Sequence, residues 1–275
     1  MRVRFSRGVL TIAAIVVVLA VAITVGLYNL LKQAKPFRQA EAGCVVRTPS
    51  GELSLDVEQA QISATIAAVA ARRKLPERAV VIAYATALQE SKLFNVNHGD
   101  RDSLGVFQQR PSQGWGKPKQ IMDPVYSTNK FFAALVKVKN YRKIPLAEAA
   151  QEVQRSAAGY AYAPHEGDAK ILAAAFTGRV PKALHCTYPE PTATPTTSAR
   201  PRTDEARRKL ARALGSTAIT TERRGWLVAA WSVAHAQEYG LRRVDYSGVS
   251  WRAEEVSDDG WKPGGKSSTT EVVLS

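Results

Sequence analysis

Histidine, cysteine and methionine are scarce in this chain, with four, two and two residues among 275. The histidines, His98, His165, His185 and His235, stand singly, and no His/Cys group has metal-ligand spacing. The sequence therefore gives no reason to expect a metal centre, and none to expect a cofactor. No internal repeat is visible. The formal charge is +14, yet no helix-turn-helix, basic recognition helix or RNA-binding aromatic motif accompanies it, so nucleic acid is not the expected partner.

What is present begins with a long uncharged run. Gly8 to Leu31 is an apolar stretch of 24 residues. As one helix it would be long enough for a hydrocarbon core of ~30 Å at about 1.5 Å per residue. The expectation is a single transmembrane helix or uncleaved signal anchor over 8–31, with a cytoplasmic tail at 1–7 and a polar stalk at 32–43. That reading localises the chain to the cell membrane as a single-pass protein, N-terminus inside and remainder extracytoplasmic. Two further features fit it. Residues 44–186 carry +7, from 19 basic and 12 acidic residues, which suits an anionic surface or polymer. Cys44 and Cys186 lie at the two ends of that segment, where a bridge would staple it in an oxidising exterior; two unrelated buried thiols are the alternative.

The strongest chemical signal is Glu90. From Glu77 to Leu93 the chain is apolar nearly all round, and Pro76 precedes it, where a missing N–H costs a helix nothing. Val80, Ala83, Tyr84, Ala87 and Leu88 form one stripe, while Val81, Ile82 and Leu93 cover much of the rest. Such a helix belongs at the centre of a domain. Glu90 falls on its last turn at the flank of the stripe, where a carboxyl can serve as a general acid at the edge of an apolar wall. A Glu at a helix end is otherwise an ordinary surface residue, so the neighbouring motifs decide. Asn95 to Asp102 reads as a turn-rich loop, Ser103 to Gln109 as an extended or tightly turned segment, and Pro111 to Gly116 as a second loop bearing Trp115.

Elsewhere, Asp56 is placed to cap a helix running to about Lys74, and helices are predicted near 124–138, 146–154 and 165–176. Residues 187–203 contain four prolines and no apolar period, the composition of a semi-extended linker. The segment 204–275 predicts a helix near 205–214, a second from Trp226 to Tyr239 ended by Gly240, a hairpin turning at Ser247-Gly248 and a last strand at Val272-Val273-Leu274. It reads as a small α/β accessory module for binding or packing.

The long signatures are Thr86-Ala87-Leu88-Gln89-Glu90-Ser91-Lys92-Leu93, Gly99 to Gly116, Ile121-Met122-Asp123-Pro124 and Ala149-Ala150-Gln151-x-Val153-Gln154-Arg155-Ser156. Through them, residues 44–186 resemble an actinobacterial, membrane-anchored, lysozyme-like domain of the soluble lytic transglycosylase and goose-type lysozyme superfamily. The resemblance implies a mainly α fold in which Glu90 is catalytic. It also implies that Ser91, Ser103, Gln108 and Gln109 line the sugar cleft and that Tyr162 hydrogen-bonds the carboxyl. Relatives tend to carry an aromatic-Pro-Asp triplet where this chain has Ala158-Gly159-Tyr160. Trp115 and Tyr126 are candidates for stacking on sugar faces, with packing as the equal alternative. Asp100 and Asp102 are candidates for a second carboxylate, with turn capping the simpler role. The implied partner is the glycan strand of peptidoglycan, cut between N-acetylmuramic acid and N-acetylglucosamine, most simply without hydrolysis. The alternative is a binding or structural envelope protein that retains the cleft without turnover.

Overall fold

A computed structural model describes residues 8, 16–26, 28, 42–155, 159–188, 200–253, 260–264 and 268–275. The chain divides into two units, Met1–Glu41 and Ala42–Ser275. In the first, residues 16–26 are helical. Among the described residues no helix is long and apolar enough to cross a membrane. The expected single-pass helix over 8–31, and the membrane localisation built on it, are therefore corrected. Positions 9–15, 27 and 29–31 of that run, like residues 1–7 and 32–41 and most of the linker (189–199), lie outside the described residues. Hydropathy measures how greasy a run is; it does not show that the run is one continuous helix.

The fold class also changes, because two antiparallel sheets accompany the helices. In the second unit β1 (Gly43–Thr48) pairs with β2 (Gly51–Leu55) through a tight turn, and β3 (Leu184–Thr187) joins the other edge of β1. The register sets Cys44 opposite Cys186, and the two form a disulfide.

Around that sheet, α1 (Val57–Arg72) starts at Asp56, whose N–H donates to Gln59 Oε1 at 2.8 Å. Next comes α2 (Glu77–Ser91), entered after Pro76 and stopped by Lys92 in the left-handed conformation, φ 57°. Every residue from Ala79 to Ala87 on α2 is buried, as its all-round apolar sequence requires. The Tyr84 hydroxyl, fully buried, donates to Ser63 O of α1 at 2.8 Å and the buried Thr86 hydroxyl donates to Ile82 O at 2.8 Å, so both polar side chains of this run are satisfied. A short α3 (Pro118–Ile121) leads to α4 (Pro124–Leu135), capped by Asp123. Then come α5 (Leu146–Gln154), a 3-10 turn over Gly159–His165, and α6 (Glu166–Phe176), which packs on α2.

The C-terminal residues add α7 (Thr203–Leu214), α8 (Glu222–Ala234), α9 (Ala236–Tyr239) and a second sheet in the order β6-β5-β4-β7: β4 (Arg243–Tyr246), β5 (Val249–Arg252), β6 (Trp261–Pro263), β7 (Val273–Leu274). They share the core of the preceding helices. Both α7 and α8 pack on α1, and the indoles of Trp251 and Trp261 donate to Cys186 O and Leu184 O at 3.1 and 2.9 Å. The contact is closest at Gly178, which has φ +70° in the turn after α6; a Cβ there would overlap Arg223 O and Leu227 N of α8. Glycine permits both the backbone angle and the approach.

Candidate functional site

Glu90 sits on the last turn of α2, half-buried. The chain that follows is held against it. Lys92 and Leu93 both adopt positive φ, 57° and 64°, which reverses the backbone and lets Leu93 N bond Ala87 O at 3.1 Å. Ser91 Oγ donates to Val106 O at 2.8 Å, fastening the returning loop to the helix end. That loop is a tight turn closed by Leu104 and Gln109, which exchange hydrogen bonds at 3.0 and 2.9 Å. From the opposite side, Gln154 at the end of α5 donates to Phe107 O at 2.7 Å.

Over the carboxyl lies the 3-10 turn. The Tyr162 hydroxyl donates to Glu90 Oε1 at 2.7 Å, with the two residues 72 positions apart in sequence. Tyr162 is 2% exposed, whereas Tyr160, two residues away, is 82% exposed. The turn thus presents one of the two tyrosines to the carboxyl and the other to solvent. Residues 156–158, which include Ala158 of the departing triplet, lie outside the described residues. Next to this pair, His165 Nε2 meets Gln89 Oε1 at 3.0 Å. Partial burial, reinforced by the Lys92 ammonium and opposed by Asp168, lowers the His165 pKa and favours its neutral form.

The other predicted residues divide by position. Gln108, at φ 45°, folds its amide back onto the loop and donates to His98 O at 3.3 Å and Gly105 O at 3.2 Å. Its Oε1 occupies the place a Cβ at residue 99 would take, which explains Gly99. Gln109 is 1% exposed and donates to Ser127 O of α4 at 3.0 Å, so it ties the turn to the core. Ser103 is buried at the foot of the same turn. Asp102 accepts from Arg110 Nε at 2.7 Å, Ser112 N at 2.8 Å and Ser112 Oγ at 3.0 Å. These bonds hold its carboxyl well below the usual carboxylate range, as an anionic clamp between two loops. Asp100 is almost wholly exposed, with Arg101 Nε 3.9 Å away.

Trp115 and Tyr126 are brought together: the Tyr126 hydroxyl donates to Trp115 O at 3.2 Å. Lys130 stands 5.5 Å from the Tyr126 ring centre. Trp115 borders an open cavity of about 410 Å³ edged by Lys130, Lys137, Glu152 and Arg155. Among the described residues no group of three or more His, Cys, Asp or Glu side chains is arranged to hold a metal ion.

The sequence assigns no role to Gln89, Gln154 or His165, of which Gln89 and His165 join the end of α2 to the 3-10 turn and Gln154 holds the loop at Phe107. Gln154 was visible within a signature, but nothing in its spacing shows that it reaches Phe107, 47 residues earlier.

No family model and no curated protein matches this chain. The chemistry rests on the arrangement itself. It offers one half-buried carboxyl at the mouth of an apolar helix, with a buried phenol hydrogen-bonded to it. Of the two candidate second carboxylates, one is engaged by Arg110 and Ser112 and the other projects into solvent.

Proposed function

We propose that this chain cleaves the β-1,4 bond between N-acetylmuramic acid and N-acetylglucosamine in peptidoglycan, leaving a 1,6-anhydro end on the muramic residue. The observation that supports the reading is the Tyr162–Glu90 hydrogen bond, which fixes one oxygen of a lone carboxyl and leaves the carboxyl's rotation little freedom. A glycosidase that hydrolyses needs a second carboxylate to position water or act as nucleophile. An intramolecular transfer needs only one. Glu90 as the acid gives its proton to the glycosidic oxygen while the C1–O bond breaks. As carboxylate it then takes the proton of the muramic C6 hydroxyl, whose oxygen closes on C1. The proton returns to Glu90, and no water is consumed.

The test is incubation of the full chain with purified peptidoglycan and mass spectrometry of the products. Ends lighter by one water than reducing ends, together with a loss of at least ~100-fold in Glu90→Gln, support the proposal, since that is the low end for general acid–base catalysis. Reducing ends with an inactive Asp102→Asn would convert the reaction to hydrolysis. Strands bound equally by wild type and Glu90→Gln and left uncut would make the site a glycan clamp.

A further inference from the structure

Away from Glu90, residues of α1, α4, α7, α8 and α9 line an open cavity of about 400 Å³. Several polar groups along its lining have no protein partner. Thr65 of α1 is 7% exposed, and its hydroxyl has no hydrogen bond among the described residues. Some helical hydroxyls bond the carbonyl four residues back, as Thr86 and Ser232 do at 2.8 Å each, whereas those of Ser63 and Thr128, like that of Thr65, have no partner among the described residues. One turn earlier, the Gln61 amide also has no hydrogen bond among the described residues. Across the cavity His235 is 7% exposed and stacks on Trp231, ring centres 3.9 Å apart. Its Nδ1 lies 2.9 Å from Trp231 O. A carbonyl can only accept, so Nδ1 carries the proton and Nε2 offers a lone pair. Burial, partly offset by that backbone bond, pushes the pKa of His235 down to about 4, so the ring stays neutral near pH 7.

We propose that this cavity is a second binding site, for a neutral, hydroxyl-rich small molecule of the sugar or polyol class, held by Gln61, Thr65 and His235 Nε2. The choice of ligand follows from the lining. The uncharged part of the lining mixes apolar and polar groups: Ile62 and Ala213 are nearly fully buried, and Trp231 Nε1 and Asn95 Oδ1 are buried with no hydrogen-bond partner among the described residues. An ion placed there would be desolvated without a counter-charge. On the wall Asp123 and Arg212 already pair with each other, while Glu58, Lys209 and Glu238 stand exposed at the mouth. A wholly apolar ligand would leave these polar groups without partners and return nothing. A polyol supplies both donors and acceptors to an amide, a hydroxyl and an imidazole lone pair, and its C–H faces suit the apolar patches. The site does not depend on Glu90, so it stands or falls separately from the glycan reaction.

Calorimetric titration of the full chain decides it, with glucose and myo-inositol as the neutral probes and tetramethylammonium and acetate as the charged controls. The expected result is saturable binding of a neutral probe, weakened about tenfold in Thr65→Val and Gln61→Leu, the effect of leaving a ligand hydroxyl unpaired, and unchanged in Glu90→Gln. Thr65→Val is nearly isosteric, and its melting temperature reports that the fold is intact. Binding of only the charged probes, no binding at all, or binding lost in Glu90→Gln but kept in Thr65→Val would each overturn the proposal.

Discussion

Tyr162 and Glu90, separated by 72 residues of chain, are joined by a 2.7 Å hydrogen bond in which the phenol donates and the carboxylate accepts. The bond crosses from the 3-10 turn to the end of α2, so it both closes the structure over the helix and orients the acid. If orientation is its function, Tyr162→Phe keeps the buried ring and its packing but releases the carboxyl. Glycan turnover should fall about 10-fold or more, within the range for positioning and general-acid effects, while the melting temperature changes by less than a few degrees. Turnover equal to wild type would show that the hydrogen bond does not serve the chemistry.

Asp102 makes a prediction about pH. Its folded-state pKa is depressed, chiefly by the hydrogen bond from Arg110 and then by those from Ser112. A depressed carboxylate contributes stability above its unfolded value of about 4, and that contribution is lost as pH falls towards the folded value. Asp102→Asn should therefore melt below wild type at pH 6, and the gap should narrow steadily as the pH is lowered from about 4 to 2. A gap independent of pH would mean that the charge is immaterial to the clamp.

Gly178 tests whether the C-terminal helices share the core. Gly178→Ala combines a left-handed φ with overlap on the α8 backbone, which cannot swing aside as a side chain can. A loss of several kcal/mol is expected, lowering the melting temperature by about 5 °C or more. Unchanged melting would detach α8 from α6.

The Cys44–Cys186 bridge spans 142 positions. The chain-entropy argument assigns a loop of that size about 5 kcal/mol, an upper figure where the unfolded chain retains structure. Intact-mass measurement after alkylation should find no free thiol before reduction, and reductant should lower the melting temperature of the whole 42–275 unit in one transition. Two alkylated thiols in the untreated protein would remove the staple.

How much of this was legible depended on whether the cause was local. The α2 helix was readable because its apolar residues leave no polar face, and its stop because the signature continues directly into the turn loop. The sheet β2-β1-β3 was not readable. Gly43–Thr48 and Gly51–Leu55 are short, and their strand conformation depends on β3 arriving about 140 residues later. The aromatic-rich helix of the last segment was readable, but not its partner: nothing in the spacing of Trp226 or Trp231 says that α1 provides the surface on which α8 packs. The expected spanning helix over 8–31 rested on composition, which fixes greasiness over a window; among the described residues no helix is long and apolar enough to cross a membrane. In the candidate site, Glu90 carried a motif. The groups that fix its surroundings, Gln154 and His165, are ordinary residues made relevant by the fold alone.

The placement of β3 has a mechanical consequence. Its carbonyls at Leu184 and Cys186 receive the indoles of the C-terminal sheet, and Cys186 is in turn bonded to Cys44 at the start of β1. Tension applied between the two ends of the 42–275 unit would therefore pass from the last sheet through two tryptophans into β3 and across the sulfur bridge. Residues 45–185, Glu90 and Tyr162 among them, form a covalent loop closed by that bridge, so end-to-end extension cannot draw them out while the sulfurs stay bonded.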